Sequence, residues 1–328
     1  MTLPSTSTLG GHTLKSPFLL APLEGVSDLG FRRLCFEQGA ALTFTEMVRA
    51  RGLAKRNKAT FDLVDTHHDH VPTGIQLMTT GPQELQDALG VIEELAFSSH
   101  PHWQNVRAID LNFGCPSKDI IQIGAGPAML KRRGRMAGIF DVLAAFKAQS
   151  RLKLLSVSAK IRLGLNQKEQ DHKVFLPVVE AAEKLDWITV HARHAGQRSR
   201  DRPTWSAIGE AKKVAKVPVV GNGDVVTRAD AERMHAETGC DAFLIARAAI
   251  ASPWAFRALS GGGSAVPSVV DVDAEAQRYR ETAERLFTKP KYREFHAANF
   301  ARLRALAASG ASEVPPYSSS QMPKNSHM

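Results

Sequence analysis

Near the middle of the chain stands Asp110-Leu111-Asn112-Phe113-Gly114-Cys115-Pro116-Ser117-Lys118. Gly114 and Pro116 flank Cys115 and cannot continue a strand or a helix, so the apolar run 106–111 must stop and turn there. A thiol on a tight turn directly after a strand can be presented to a ligand. It can equally be one more buried structural cysteine. Other short apolar runs close on polar groups in the same manner. Ser156-Val157-Ser158-Ala159 ends in Lys160, and a lysine on such a strand needs an anionic or electron-rich partner unless its ammonium snorkels to water. Run 187–190 is followed by His191 and Arg193, and run 217–220 by Gly221-Asn222-Gly223-Asp224. The glycines of the latter let backbone N–H groups approach a ligand closely, although such a tetrapeptide also makes plain turns. Arg247 follows run 242–246 and offers a planar, permanently charged fork for phosphate oxygens. Gathered at one mouth, these groups would bind a phosphorylated cofactor or substrate, with Lys160 and His191 deep inside and Cys115 opposite.

What must gather them is a set of parallel strands. From Pro17 onward short apolar runs alternate with helical patterns, which is the signature of repeated βα units. Strands are expected at 18–21, 41–45, 73–78, 106–111, 154–160, 187–190, 217–220 and 242–246. Helices are expected at 29–38, 82–97, 139–148, 175–185, 205–215 and 228–238. Eight strands with helices between them, over about 240 residues, fit a (β/α)8 TIM barrel, whose functional groups sit at the C-terminal ends of the strands. An open doubly wound sheet would need a Gly-rich first turn, and Pro22-Leu23-Glu24-Gly25 is not one. The barrel domain is expected over residues 1–260, closing on the linker Ser260-Gly261-Gly262-Gly263-Ser264. Two helices at 272–287 and 292–308 form a short C-terminal helical segment (261–311) expected to pack against the barrel. The Ser/Pro-rich stretch 312–328 reads as a disordered tail.

Composition narrows the class. The chain has 328 residues, 43% hydrophobic and 23% charged, enough to bury a large core. A net charge of +9 favours a polyanionic partner, RNA or DNA, over a membrane surface. Three well-separated cysteines, Cys35, Cys115 and Cys240, exclude a disulfide framework or a Cys-x-x-Cys metal site and point to a reducing compartment. The start of the chain lacks an apolar signal core, and no run approaches the roughly 18 apolar residues of a membrane span. The expectation is therefore a cytoplasmic protein, and a monomer. Basic clusters at Lys131-Arg132-Arg133 with Arg135, and at Arg198, Arg200 and Arg202, follow the fourth and sixth strands and would rim the mouth. A third, Arg49, Arg51, Lys55, Arg56 and Lys58, reads as a solvated face. His67-His68-Asp69-His70 lacks the helical spacing of ligands and reads as a polar loop; no metal is expected.

In this order the residues resemble the dihydrouridine synthases, flavin-dependent tRNA-modifying enzymes, nearest their bacterial C-type branch. The matching pieces are Ala21-Pro22-Leu23-Glu24-Gly25-Val26, Thr45-Glu46-Met47, Gln76-Leu77, residues 110–116, Lys160-Ile161-Arg162-Leu163-Gly164, Val190-His191-Ala192-Arg193, Gly221-Asn222-Gly223-Asp224 and Ser252-Pro253-Trp254. Together they span about residues 17–258 at barrel spacing. The resemblance implies FMN held by Pro22, Leu23, Glu24, Gln76, Lys160, His191, Asn222, Gly223, Asp224, Ala246 and Arg247. It implies Cys115 as the catalytic acid, with Asn112, Lys160, Arg162 and Arg193 around a flipped uracil. The implied reaction reduces the uracil C5=C6 bond in tRNA, with NADPH as the hydride source. Such an acid must be a neutral thiol, not a thiolate. The sequence departs from the family where Ala246 replaces a glycine, where Ala192 and His194 replace glycine and threonine, and in its shorter C-terminal region. Two other readings are a barrel flavoenzyme of dihydropyrimidine or dihydroorotate type acting on a free small molecule, and a non-catalytic RNA-binding barrel. The set of Cys115, Lys160, His191 and Arg247 argues against the second of these.

Overall fold

The computed structural model describes residues 3, 6–64, 66, 70–98, 103, 106–152, 156–286 and 288–317. An antiparallel hairpin, β1 (Ser7–Leu9) and β2 (His12–Leu14), comes first. Gly10 and Gly11 turn it with φ of 59° and 79°, the left-handed geometry of a two-residue hairpin loop. Eight strands then form one sheet: β3 (Phe18–Leu20), β4 (Thr43–Arg49), β5 (Thr73–Met78), β6 (Val106–Phe113), β7 (Ser156–Ile161), β8 (Trp187–His191), β9 (Val219–Asn222) and β10 (Ala242–Ile245). Each pairs in parallel with its sequence neighbour from β4 to β10, and β10 returns to β3. The remaining seam between β3 and β4 is closed by Leu20 N–H to Leu42 O (2.9 Å) and Ala41 N–H to Phe18 O (2.8 Å). This is the expected (β/α)8 barrel.

Strands covered by helices on one side and filled by side chains on the other show almost no water-facing residue. β5 and β9 are buried along their whole length. Register then brings polar residues side by side: Gln76 against Asp110, Asn112 against Lys160, and His191 against Asn222. Five of the strands run past the apolar runs that announced them, because Asn112, Phe113, Ile161, His191, Asn222 and the residues from Glu46 to Arg49 remain in the ladders or strand spans. The helix expected from 139 spans Arg133–Gln149, its basic first turn exposed and therefore invisible to an apolar pattern. Short helices Arg247–Ala251 and Ala255–Leu259, which the sequence reading did not separate, follow β10. Residues 153–155 and the 67–69 part of the histidine tract lie outside the described residues.

The C-terminal helices Val269–Arg285 and Pro290–Ala308 do pack on the barrel. Tyr279, Phe300 and Leu303 bury a cluster with Leu34 and Trp254. The ring of Tyr279 lies against Gly30, where a Cβ would come within 2.8 Å of it, so the helix Leu29–Glu37 carries glycine at the contact. The Tyr279 hydroxyl donates to Asp28 Oδ2 at 2.6 Å, and His296 stacks on Phe31 with its Nε2 3.0 Å from Val26 O. These contacts brace the loop after β3 that carries Glu24. Tyr279→Phe is expected to cost about 2 kcal/mol, the usual worth of a buried hydrogen bond to a charged acceptor, in urea denaturation. Tyr317 is 8% exposed and meets Phe295 edge-on; residues beyond it are outside the described part. No helix among the described residues is long and apolar enough to cross a membrane.

Candidate active site

A cleft at the C-terminal ends of the strands encloses about 1040 Å³ of atom-free space open to solvent. Every residue nominated from the sequence lines it. Pro22, Leu23 and Glu24 come from the loop after β3 and Gln76 from within β5. Asn112 comes from the end of β6 and Cys115 from the turn after it, Lys160 from β7 and Arg162 just past it, and His191 from the last position of β8 with Arg193 two residues on. Asn222, Gly223 and Asp224 close β9, and Ala246 and Arg247 close β10.

Lys160 is the telling group. Its ammonium makes no hydrogen bond or ion pair among the described residues, although it sits among cations. Burial and the neighbouring Arg162 lower its pKa to about 8, against the weaker pull of Asp110 and Cys115. An unpaired lysine held in this way fits a ligand that brings electron-rich or anionic atoms, which is the chemistry of a flavin ring. Arg162, 4% exposed, uses Nε to donate to Gly114 O at 2.7 Å and Nη1 to donate to His194 O at 3.3 Å. It therefore clamps the loop that carries Cys115 from below while keeping Nη2 for the cleft. Burial and Arg193 bring its pKa down to about 10, so it stays charged at neutral pH.

The Cys115 turn is held from the other side by Asn112, whose Oδ1 accepts from the N–H groups of Gly114 (3.0 Å) and Cys115 (2.9 Å). The thiol is 8% exposed. Burial raises its pKa above the ordinary thiol value, with Glu24 adding to the rise and Ser117 N–H, Arg162 and Lys160 opposing it. Cys115 is therefore a protonated, cleft-lining thiol, the state of an acid and not of a nucleophile.

On the opposite wall the structure assigns work that the sequence did not reveal. Arg193, expected beside the uracil, has its nitrogens engaged within the protein: Nε to Asp201 O (2.7 Å), Nη2 to Ser199 O (3.2 Å) and Asp224 Oδ2 (2.6 Å). Its Nη1 lies 3.3 Å from His191 Nε2. A guanidinium only donates, so His191 accepts there and carries its proton on Nδ1. Burial and the surrounding Arg162, Lys160, Arg193 and Arg247 keep that imidazole neutral, far below its usual pKa. Asp224, in the left-handed region at φ 57°, bridges Arg193 and Arg247. Gly223 before it has φ 132°, and a Cβ there would lie 3.2 Å from Pro203. Side chains larger than glycine would thus crowd the wall at which Arg247 waits. Asn222 Nδ2 donates to Leu244 O at 2.7 Å, which leaves its oxygen for the cleft.

Arg198, Gln197 and Ser199 also line the cleft; only Arg198 had been marked, as part of a basic cluster. Lys131 of another cluster pairs with Glu169 at 2.8 Å, and Glu169 Oε2 accepts from Leu165 N–H at 2.8 Å, so this lysine also ties two rim loops together. Met47 and Leu244, apolar lining, were not nominated because nothing separates them from core in a sequence. The same holds for Asp110 and Ser158, which lie behind the cleft wall and hydrogen-bond at 2.7 Å.

A family model described as Dihydrouridine synthase (Dus) matches residues 19–310. A probable tRNA-dihydrouridine synthase of Aquifex aeolicus is 35% identical over 246 residues, 74% of this chain and 72% of that protein. One of Mycobacterium tuberculosis is 33% identical over 268 residues, 79% of this chain and 66% of the relative. Among solved structures, morphinone reductase superposes with a TM-score of 0.57 at 12% identity, over 80% of this chain and 90% of that one. A 2-naphthoyl-CoA reductase complex gives 0.58 at 12% identity, over 80% of this chain and 52% of the other. At such identity these last two speak for the barrel fold alone.

Proposed function

The chain belongs to the dihydrouridine synthase family, and from that premise we propose that it reduces the C5=C6 bond of a uridine in tRNA to 5,6-dihydrouridine, in the cytoplasm, with FMN as cofactor and NADPH as reductant. The observation that carries the reading is the convergence of a protonated thiol, Cys115, and two cations, Lys160 and Arg162, on one cleft. FMN, when bound, supplies the hydride chemistry. Arg247, Asn222 and Gly223 would hold its phosphate end, with Asp224 and Arg193 fixing Arg247 and the wall. Lys160, Gln76 and His191 would meet its ring, with Pro22, Leu23, Glu24 and Ala246 completing the cradle.

The residues of this chain then have separable tasks. Cys115 holds a proton on Sγ and passes it to C5 as C6 receives hydride; the resulting thiolate is reprotonated by water. Negative charge that develops on the uracil side of C5 is met by Lys160 and by the free Nη2 of Arg162, donors fixed before the reaction begins. Arg193 is a positioning group in this scheme, since its nitrogens are already engaged. Exposed Arg198 and the arginines beside Lys131 supply sequence-independent contacts to RNA phosphates.

Purified protein is expected to show flavin absorbance, and to form dihydrouridine in unmodified tRNA with NADPH, read by mass spectrometry of the digested nucleosides. Turnover of free uracil or orotate in place of tRNA would replace the RNA substrate with a small molecule. A colourless protein that flavin does not stabilise would remove the catalytic reading altogether.

A further inference from the structure

Asp110 stands in β6, 3% exposed, behind the cleft wall. Its two oxygens accept from Gln76 Nε2 and from Ser158 Oγ, each at 2.7 Å. Gln76 Oε1 accepts from Asn112 Nδ2 at 2.7 Å, and Asn112 Oδ1 takes the N–H groups of Gly114 and Cys115 at 3.0 and 2.9 Å. The direction of this chain is enforced from both ends. Backbone N–H groups only donate, so Asn112 must turn its oxygen to them and its nitrogen to Gln76. Gln76 must answer with its oxygen and hold its own nitrogen toward Asp110. A carboxylate only accepts, so the far end agrees. Burial holds the Asp110 carboxyl up at about 6, with Gln76, Ser158 and Lys160 opposing, which leaves it mostly ionised at neutral pH.

We infer that Asp110 is a positioning residue: the acceptor oxygen it holds toward Gln76 anchors the far end of the Gln76–Asn112 chain, so that Asn112 keeps its oxygen on the Cys115 turn and has only an N–H left for a ring bound in the cleft. A ring edge that faces Asn112 must then bring an acceptor. A carbonyl oxygen of uracil meets that requirement, whereas the exocyclic amino group of cytosine would set donor against donor. The inference deepens the proposed reading and rests on it for the identity of the ring, but not for the hold on the thiol.

Two substitutions separate direction from mere packing. Asp110→Asn keeps an oxygen toward Gln76, and its amide can donate to the Ser158 hydroxyl, so the chain keeps its sense. Asp110→Leu removes both acceptors. In the apoprotein, iodoacetamide should alkylate Cys115 about tenfold faster in the leucine variant and at the wild-type rate in the asparagine variant. In flavin-loaded protein, kcat for tRNA reduction should fall about 100-fold with leucine while the KM for tRNA stays, and change by no more than about threefold with asparagine. Cys35 and Cys240, both 0% exposed, report on the fold: reaction of Cys115 alone marks a loosened turn, reaction of all three marks unfolding. Should Asp110→Leu unfold, Gln76→Met cuts the same chain one link later and is expected to give the same faster alkylation of Cys115 in the apoprotein. Equal behaviour of the leucine and asparagine variants, or a leucine variant with unchanged alkylation and unchanged kcat, overturns the inference. The alkylation arm needs neither flavin nor tRNA. An error in the proposed function would therefore silence only the tRNA arm.

Discussion

Cys115→Ala is expected to lose about three orders of magnitude in dihydrouridine formation, within the span that a positioned general acid supplies, while retaining its flavin. The expectation follows from what the side chain does not do. The turn is held through the Cys115 backbone N–H and the Gly114 carbonyl, by Asn112 and Arg162 respectively, so the sulfur can go without releasing the loop. A serine in its place keeps the shape and offers a far weaker acid, so Cys115→Ser should be nearly as slow as alanine. The unmodified thiol should also show its state directly. Burial first, and Glu24 second, push its pKa up. A raised pKa means that the proton is kept through neutral pH and lost only above the ordinary thiol range, so alkylation of the wild-type apoprotein should remain slow at pH 8 and quicken only on the alkaline side. Fast alkylation at neutral pH would mean a thiolate, and with it a nucleophile in place of an acid. Loss of flavin together with activity in Cys115→Ala would instead make the cysteine a structural part of the cradle.

Much of this site was legible because parallel strands buried on both faces are written as nearly unbroken apolar runs. Residues 73–78 match their strand to the residue. The helix at 228–238 does so too, bounded by the capping Thr227 before it and left-handed Gly239 after it. Several other strand ends escaped the apolar pattern, since Asn112 near the end of β6, and His191 and Asn222, which finish β8 and β9, are polar for the sake of the cleft and so look like loop. The nomination of cleft residues rested on the rule that strand ends converge together with the family resemblance. Each residue so nominated for the site lines the cleft, whereas Thr45 and Glu46 at the end of the second run do not. What each side chain touches needed register. Nothing in the sequence sets Asp110 opposite Gln76 or turns Asn112 back onto its own turn; those contacts exist because neighbouring strands pair at one particular offset. Arg193 looked free for the same reason, with its partners spread over the loop to Asp201 and across to Asp224. The docking of Tyr279 on Gly30 and Asp28 joins parts of the chain some 250 residues apart, beyond the reach of any local pattern.

Lys160→Met should make the apoprotein more stable and the enzyme much worse. A lysine that folding places among other cations without a partner costs free energy, and the sign is fixed by its pKa. Folding lowers it from the ordinary value to about 8, chiefly through burial, then through Arg162. The unfolded chain therefore holds the proton more tightly, and the cost is fully present below pH 8. It fades as pH rises from 8 toward the unfolded pKa near 10.5, where the side chain is neutral in both states. Methionine fills much of the same volume without the charge, so a gain of about 2 kcal/mol in denaturant stability is expected at neutral pH, shrinking toward nothing at alkaline pH. Function should move the other way. With the cation gone, tRNA reduction is expected to fall about 100-fold, the cost of removing a preorganised donor from developing charge. The purified variant should carry less flavin, and added flavin should raise its melting temperature less than it raises that of the wild type. A lysine kept for packing alone would give the opposite result: Lys160→Met would lose stability at every pH and bind flavin as before. The trade between the two quantities is the mark of a residue retained for the ligand it awaits, because only a bound electron-rich ring can offset the cost of holding it there.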